Sequence, residues 1–286
     1  MTDFSAPAML SPMLRLLVVG GGGLLGREVV RLARRAGHSV TATYHQRPIG
    51  TDGRRLDIRD RAAVAALVAA VRPEVIVNAA YRQADWATTA DGGMHVAAAA
   101  AEARARLVHV SSDAIFSGAA DSYDEGTAPD PVTPYGAAKA AAEVAVRGLV
   151  PDAVIVRTSL IIGAGTSETE RYVHDLATGR RSGALFTDDI RCPVHVGDLA
   201  AAVLELAADP HPGVRNVAGS DPISRHQLGL LIARRDGLDP AALPAALRAH
   251  SGLPGALAVR LNCSATQAGL VVRLRGAHEF VGAGTA

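Results

Sequence analysis

A tyrosine and the single lysine of the chain stand one helical turn apart, at Tyr135 and Lys139 in the run YGAAK. The other 28 of the 29 cationic side chains are arginines. Residues spaced i and i+4 share one face of a helix, which brings the phenol and the ammonium together. A neighbouring cation favours the phenolate and lowers the pKa of a tyrosine toward neutral pH. The pair therefore indicates general acid–base chemistry, in which Tyr135 exchanges a proton with a carbonyl or alcohol oxygen.

A serine that precedes this pair completes a catalytic set. Residues 107–111 (LVHVS) have the composition of a buried strand, and Ser112 and Asp113 follow it directly. Parallel sheets bind ligands at the carboxyl ends of their strands. Ser112 can therefore hydrogen-bond a substrate carbonyl and hold it against the phenol of Tyr135. The alternative role for Ser112 is a cap at the end of the strand. Because Tyr135 and Lys139 accompany it, we favour the catalytic role.

A glycine-rich run, GGGGLLG, occupies residues 20–26. It fits two spacings, Gly20/Gly23/Gly26 and Gly21/Gly23/Gly26. Either spacing lets the chain turn tightly and lets a pyrophosphate approach the backbone. The phosphates would then face the N–H groups at the start of the next helix, where Leu24 and Leu25 lie. A plain turn between strand and helix is the alternative. Because the run follows a strand and opens a helix, it predicts dinucleotide binding.

The end of the second strand, at Tyr44, lacks the carboxylate that NAD sites usually place there. Arg47, together with His45, can instead meet a 2′-phosphate, which favours NADP(H) and leaves NAD(H) possible. A solvated surface arginine is the alternative for Arg47. In the run LDI that ends at Ile58, Asp57 is placed to reach the adenine edge, to cap the next helix, or to do both.

Short apolar runs alternate with alanine-rich stretches of helical length along the chain. We predict strands at 15–19, 39–44, 75–78, 107–111, 153–158 and 214–218, and helices at 24–35, 59–71, 91–105, 135–147, 196–208 and 224–235. This alternation predicts an α/β fold, a doubly wound parallel Rossmann sheet with a smaller C-terminal substrate-binding lobe. We assign 14–165 to an NAD(P)-binding Rossmann domain, to which 192–217 returns, 166–286 to the substrate-binding lobe, and 1–13 to a flexible tail.

Composition argues against several classes of protein. A net charge of +1 gives no electrostatic attraction for nucleic acid or for an anionic membrane, and 3% aromatic residues offer no platform for stacking bases. Cys192 and Cys263 have neither a disulfide nor a zinc spacing, and we predict no metal site. No apolar run reaches the ~20 residues of a membrane span, and the first residues do not resemble a signal peptide. We expect a soluble cytoplasmic protein.

Nine stretches of the sequence resemble the extended short-chain dehydrogenase/reductases and, more narrowly, the dTDP-4-dehydrorhamnose reductase group of sugar-nucleotide reductases. In chain order they are VVGGGGLLGREV, LDIRD, VIVNAA, RLVHVSSDAIFSG, YDE, PVTPYGAAKAAAE, VRTSLIIG, DDIRCPVHVGDLA and NVAG. They cover most of residues 14–220, while the last 60 residues match only loosely. The resemblance is specific because the order and the spacing of the stretches agree, as well as their letters.

The resemblance implies hydride transfer from NADPH to the keto carbon of a nucleotide-linked 4-keto-6-deoxysugar. It implies that Tyr135 donates the proton, that Lys139 also holds the nicotinamide ribose, and that Ser112 orients the carbonyl. The cofactor contacts that it implies, beside these, are Gly20, Gly23, Gly26, Asn78, Ala79, Ala80 and Thr158. We add Tyr81, Asp113 and Arg191 as candidate substrate contacts, because a nucleotide diphosphate needs cations and a polar pocket. The expected partner is a small sugar nucleotide, and the expected assembly is a monomer or a homodimer.

Departures from the family pattern affect the substrate side. Leu160 stands where the family has a sugar-facing tryptophan, and the shortened segment 81–94 has Thr89 in place of an asparagine. One alternative is a non-catalytic NADP-binding regulatory subunit that resembles the methionine adenosyltransferase beta subunit, but the intact Ser–Tyr–Lys set favours an enzyme. Another is a different extended short-chain dehydrogenase or an epimerase.

Overall fold

The computed structural model describes residues 13–163 and 165–282. The predicted tail therefore lies outside the described residues, except for Met13. The strands are β1 Arg15–Val19, β2 Ser39–Tyr44, β3 Arg54–Arg55, β4 Val75–Asn78, β5 Arg106–Val110, β6 Val154–Arg157, β7 Ile161–Ile162, β8 Leu185–Phe186, β9 Ile190–Arg191, β10 Val194–His195, β11 Gly213–Asn216, β12 Ile223–Ser224 and β13 Ala245–Ala246. The helices are α1 Leu24–Arg35, α2 Arg61–Val71, α3 Gly92–Ala103, α4 Pro134–Leu149, α5 Glu168–Ala177, α6 Val196–Ala208, α7 Arg225–Arg235, α8 Ser264–Ala268 and α9 Ala277–Gly282.

Seven of the strands form one parallel sheet in the order β11-β6-β5-β4-β1-β2-β3. The prediction of a doubly wound α/β sheet is confirmed. The chain runs outward from β1 in one direction to β3 and then returns to β4 to build the other half. Strand order therefore reverses between β1 and β4, and ligands of such sheets bind beyond the carboxyl ends of the strands at this point. The glycine run follows β1 and Ala79 follows β4, so both lie there.

Apolar layers cover both faces of the sheet. Within β1, Leu16 and Val18 pack with α1 and α6 on one face. Leu17 and Val19 alternate with them and pack with α2, α3 and α4 on the other face. Because side chains alternate across a strand, the part of a strand that is covered on both faces must be apolar throughout, as Leu16–Val19 are. Full burial of each such side chain contributes about 1.5–3 kcal/mol.

A third apolar cluster lies outside the sheet and joins α5, α7 and α9, with Val173, Leu228 and Val281 among its fully buried members. Short strands connect this part to the rest, with β7 paired to β10 and β9 paired to β12. Within 13–163 and 165–282, no helix is both long enough and apolar enough to cross a membrane.

Some predicted helix boundaries were wrong, and the capping residues explain why. Helix α2 begins at Arg61 because the side chain of Asp60 accepts a hydrogen bond from the Ala63 amide at 3.0 Å, so the cap is Asp60 and not Asp57. Before α3, residues Ala87–Asp91 form a π-helical turn instead of the start of a regular helix. Helix α4 begins one residue earlier than predicted, because Thr133 caps it and Pro134 takes its first position.

Candidate active site

A cleft of about 1160 Å³ opens beyond the carboxyl ends of β1, β4, β5 and β6. Its walls include the predicted catalytic residues Ser112, Tyr135 and Lys139 together with Gly23–Gly26 of the glycine run. A second cleft of about 240 Å³ shares Gly23, Ala79 and Tyr81 with the first. The fold therefore brings the predicted catalytic set and the glycine run, which are far apart in the sequence, into one continuous depression.

Helix α4 carries two of the catalytic candidates on one face. Thr133 accepts a hydrogen bond from the Gly136 amide at 3.0 Å, and this cap fixes the first turn, where Tyr135 lies. Gly136 packs so closely on the carbonyl of Ala114 that a side chain there would collide with it. The start of the helix can therefore approach the turn that follows β5, which carries Ser112.

Lys139 is buried, with 2% of its surface exposed. Its Nζ donates a hydrogen bond of 2.8 Å to the carbonyl oxygen of Val110 and lies 5.2 Å from the centroid of the Tyr81 ring. That ring in turn lies 5.9 Å from the ring of Tyr135. Burial lowers the pKa of Lys139 from 10.5 to about 8, and the carboxylate of Glu143 acts in the opposite direction.

The acidity of Tyr135 differs from the sequence-based prediction. Burial is the largest influence and raises the pKa of Tyr135 well above its usual value, and Tyr81 and Asp113 act in the same direction. A hydrogen bond with Ser112 lowers it by less. The prediction that Lys139 lowers the pKa toward neutral pH was therefore wrong for the free protein. A phenol that stays protonated at neutral pH is suited to donate a proton.

Ser112 both lines the cleft and caps a turn. Its Oγ accepts a hydrogen bond from the Ala114 amide at 3.2 Å and thereby caps the 3₁₀ turn Asp113–Ile115. Asp113 is held by its own amide, which donates to the Thr158 carbonyl at 2.7 Å, and by the Ser159 hydroxyl, which donates to its carboxylate at 2.6 Å. The two roles considered for Ser112 are therefore compatible, since the capping hydrogen bond fixes the hydroxyl that the catalytic role would use.

The glycine run forms a tight turn that a larger residue would disrupt. Gly20 has φ = +84°, and a Cβ on it would lie 2.8 Å from the amide nitrogen of Ala80. A Cβ on Gly26 would run into the carbonyl of Gly20. Gly23, whose amide donates to that same carbonyl at 3.0 Å, is the N-cap of α1 and has no side chain to occupy the cap site. The first turn of α1 contains no acidic residue, so its free N–H groups, including those of Leu24 and Leu25, suit an anion.

The smaller cleft is lined by Tyr44, His45, Asp57 and Ile58, among others. Asp57 is engaged by Arg59, whose Nη2 donates at 2.6 Å, and by His45, whose Nε2 lies 3.4 Å from the carboxylate. These contacts, led by the hydrogen bonds from Arg59, hold the pKa of Asp57 well below its usual range. Arg47, predicted to meet a 2′-phosphate, is exposed and lines neither cleft.

At the end of β4, Ala79 and Ala80 line the clefts but Asn78, the last residue of the strand, does not. Asn78 is buried, and its Oδ1 accepts a hydrogen bond from the Ala80 amide at 3.2 Å. Its Nδ2 contacts Nδ1 of the equally buried His109 at 3.3 Å. Asn78 therefore supports the wall of the cleft from behind. Thr158, also in the wall, donates its hydroxyl to the Val217 carbonyl at 2.7 Å.

Three arginines that line the large cleft gather around one buried carboxylate. Arg191, Arg225 and Arg248 all line the cleft and all contact the buried carboxylate of Asp189, at 2.9, 3.6 and 3.1 Å. Arg191 also lies 3.8 Å from Asp113. Sequence reasoning identified Arg191 and missed the other two, because Arg248 lies in a segment without periodicity and Arg225 reads as an ordinary helix residue.

The family model described as the RmlD substrate binding domain matches residues 14–264. The chain belongs to this family. A relative from Haloferax volcanii named "Probable low-salt glycan biosynthesis reductase Agl14" is 32% identical over 257 residues, which cover 84% of this chain and 86% of the relative. The dTDP-4-dehydrorhamnose reductase of Mycolicibacterium smegmatis is 32% identical over 241 residues, which cover 79% of this chain and 70% of that enzyme.

A solved structure, that of dTDP-4-dehydrorhamnose reductase from Bacillus anthracis in complex with NADP, superposes with a TM-score of 0.82. It is 21% identical, and the match covers 94% of this chain and 97% of that one. The resemblance found in the sequence is confirmed at the level of the family. Since the relatives are named as reductases, the predicted class, an oxidoreductase, is confirmed as well.

This member of the RmlD family differs from the family pattern in the wall of the large cleft and in the shortened loop. Leu160 lines the cleft at the position that lacks the expected tryptophan, and Phe186 adds an aromatic ring elsewhere in the wall. Trp86 lines neither cleft and is 51% exposed. Thr89 is buried and bonds both the amide and the carbonyl of Arg82, so it shapes the shortened loop instead of facing the cleft.

Proposed function

We propose that this protein catalyses the NADPH-dependent reduction of the keto group of a nucleotide-linked 4-keto-6-deoxysugar. The observation that carries the proposal is the convergence of Ser112, Tyr135 and Lys139 in one cleft with the glycine run. The name of the Mycolicibacterium relative supports the substrate class, and the NADP in the Bacillus structure supports the cofactor. NAD(H) is the second cofactor that the site suits.

The glycine run and the first turn of α1, with Leu24 and Leu25, would hold the pyrophosphate of the cofactor. The smaller cleft, with Tyr44, Asp57 and Ile58 in its wall, suits the adenosine half by its position beyond β2. Ala79, Ala80, Thr158 and Lys139 would border the nicotinamide half, and Asn78 would act from behind. The cofactor supplies the hydride when bound.

The residues of the chain supply the proton and the orientation. Tyr135, kept protonated by burial, donates its proton to the oxygen of the keto group as that oxygen gains charge. The Ser112 hydroxyl, fixed by the Ala114 amide, hydrogen-bonds the same oxygen. The Lys139 ammonium stabilises the phenolate that remains after transfer.

We further propose a division of labour along the chain. Residues 14–165 with 192–217 would bind the cofactor, and the remainder of 166–286 would bind the sugar nucleotide. Tyr81 and Asp113 border the reacting end, and Arg191 with its two arginine neighbours would face the anionic diphosphate. We place this reaction in the cytoplasm.

The test is the oxidation of NADPH, followed by its absorbance, with a dTDP-4-keto-6-deoxysugar as substrate. We expect turnover with wild type and its loss in Tyr135→Phe, while NADPH binding measured by calorimetry persists in both. UDP- and GDP-linked keto sugars, tested in parallel, identify the nucleotide. Tight NADPH binding without oxidation by any of these sugars would contradict the proposal and favour a regulatory subunit.

A further inference from the structure

Helix α4 carries a row of three ionisable side chains on one face, of which the second and third are buried. Tyr135, Lys139 and Glu143 follow one another at intervals of four residues, so each lies one turn beyond the last. The catalytic chemistry proposed above uses the first two. Glu143 is fully buried, with 0% of its surface exposed, although a glutamate is almost never found there without a partner.

The partner of Glu143 is Arg157, the last residue of β6. Its Nε and Nη2 donate to the Glu143 carboxylate at 3.1 and 2.9 Å, and Arg157 is only 1% exposed. Its Nη1 donates to the Thr127 carbonyl at 2.9 Å, and the guanidinium lies over the Phe116 ring at 5.2 Å. Arg147 approaches the same carboxylate from the surface at 3.7 Å. Arg157 and Arg147 therefore hold the Glu143 carboxylate in one position from two sides.

Stability alone does not explain such a pair. A buried ion pair gains little over apolar residues of the same volume, because both ions lose their hydration. Its fixed charges do act on neighbouring groups, since the interior screens them poorly. The neighbour one turn away is Lys139, whose own hydrogen bond goes to the neutral Val110 carbonyl.

The other titratable groups that face Lys139 in the described residues are neutral at neutral pH, and Glu143 is its anionic neighbour. Tyr135 lies on the same helix, Tyr81 follows β4, and His109 lies on β5. Burial lowers the pKa of His109 to about 3, so it carries no charge at neutral pH. The two phenols are neutral there as well. Glu143 raises the pKa of Lys139 against the effect of burial.

We propose that Glu143, clamped by Arg157, is a positioning residue that keeps the Lys139 ammonium charged and in place beside Tyr135. This inference rests on the proposed function only for its effect on turnover. Its electrostatic part concerns the free protein and can be measured without any substrate.

The single lysine makes that measurement direct. Protein grown with lysine labelled with ¹³C at Cε gives one lysine resonance, whose chemical shift against pH reports the titration of Lys139. For wild type we expect a midpoint near pH 8. For Glu143→Gln we expect proton affinity to fall about tenfold, because a buried carboxylate is lost and the Arg157 cation remains. A midpoint equal to that of wild type would overturn the proposal.

Glu170→Gln is the matched control. Glu170 is also fully buried and also pairs with an arginine, Arg235 at 2.8 Å, but it lies on α5. The Glu170→Gln substitution should lower the melting temperature and leave the titration midpoint of Lys139 unchanged. An equal shift in both variants would mean that a loosened fold, and not the charge of Glu143, controls the lysine.

A double variant, Glu143→Met with Arg157→Met, covers the case in which Glu143→Gln does not fold. It removes both charges and leaves no ion unpaired. We expect the midpoint to fall below that of wild type, because Glu143 acts to raise the pKa of Lys139 and this effect is lost; an unchanged midpoint refutes the proposal. If the protein also turns over a keto sugar, the alkaline limb of kcat should move with the midpoint, and an unmoved limb would contradict the role in catalysis.

Discussion

The Nζ of Lys139 donates a hydrogen bond of 2.8 Å to the carbonyl oxygen of Val110, the last residue of β5. Two residues after Val110 the chain reaches Ser112, so this bond ties the catalytic helix to the strand that presents the serine. The ammonium of a lysine can make this contact and keep further N–H donors, since it has three. The relative position of phenol, ammonium and hydroxyl is therefore set by the backbone of β5.

Tyr135→Phe should reduce kcat by about 10²–10⁴-fold, the usual contribution of a positioned general acid. The phenyl ring fills the same space, so the fold and the affinity for NADPH should persist. Tyr123→Phe is the control, because its hydroxyl accepts a hydrogen bond from the Ala120 amide in a separate apolar cluster. It should affect stability and spare the rate. Steady-state kinetics that show only a few-fold loss in Tyr135→Phe would exclude this tyrosine as the proton donor.

Lys139→Met should abolish most of the turnover and yet stabilise the fold at neutral pH. The pKa of Lys139 falls from 10.5 to about 8 on folding, so the folded state binds its proton less tightly than the unfolded state does. Below pH 8 the buried charge opposes folding, by roughly 3 kcal/mol at most. As pH rises from 8 through 10.5 the unfolded state also loses its proton, and this penalty vanishes.

Chemical denaturation at several pH values checks the sign of this effect. The gain in unfolding free energy of Lys139→Met over wild type should be largest at pH 7 and should disappear above pH 10.5. Arg147→Met, which removes a half-exposed cation of the same helix, should show no such dependence. A variant that is less stable than wild type at pH 7 would mean that the bond to Val110 outweighs the cost of burying the charge.

Gly26→Ala should weaken NADPH binding at least tenfold and lower the melting temperature, because its Cβ would meet the Gly20 carbonyl within the turn. Gly148→Ala is the matched control, since Gly148 lies in α4 without a positive φ, and a methyl group added there would have no neighbouring atom within 4 Å. It should stabilise the protein by up to ~1 kcal/mol. Equal NADPH affinity in Gly26→Ala and wild type, measured by calorimetry, would argue against pyrophosphate binding at this turn.

Arg47→Ala tests the preference for NADPH over NADH. If Arg47 folds over the smaller cleft to meet the 2′-phosphate, its loss should weaken the binding of NADPH and spare that of NADH. The ratio of the Kd for NADH to the Kd for NADPH should then fall by about tenfold, the value of one charge-assisted contact. Arg34→Ala, which removes an exposed arginine of α1, should leave the ratio unchanged. An unchanged ratio in Arg47→Ala would identify Arg47 as a solvated surface residue, as its exposure in the free protein allows.

The features that were predictable from the sequence depend on local spacing. Tyr135 and Lys139 share a helix face because four residues make about one turn, and the glycine run needs only its neighbouring strand and helix. The alternation of strands and helices indicated the sheet class for the same reason. The sequence did not decide which aspartate caps α2, because Asp57 and Asp60 are both suitable capping residues and stand only three residues apart.

The features that were not predictable depend on contacts between distant residues. Arg157 and His109 are polar residues in strands whose other fully buried residues are apolar. Their positions indicate that each needs a partner, but the sequence does not identify it; the partners are Glu143 and Asn78. The meeting of Arg225 and Arg248 at Asp189 joins three segments that no periodicity connects. The pKa of Tyr135 was mispredicted because burial, a property of the whole fold, outweighs the effect of one neighbour.

The burial of Lys139 makes this chain a reporter of its own unfolding. A protease that cuts only after lysine has a single cleavable bond, between Lys139 and Ala140 in the middle of α4. The folded helix shields that bond, so cleavage proceeds from the open state, and its rate follows the population in which α4 has come away from the sheet. One cut yields two fragments of nearly equal length. Ligands that close the cleft over α4 should therefore slow the cleavage at Lys139.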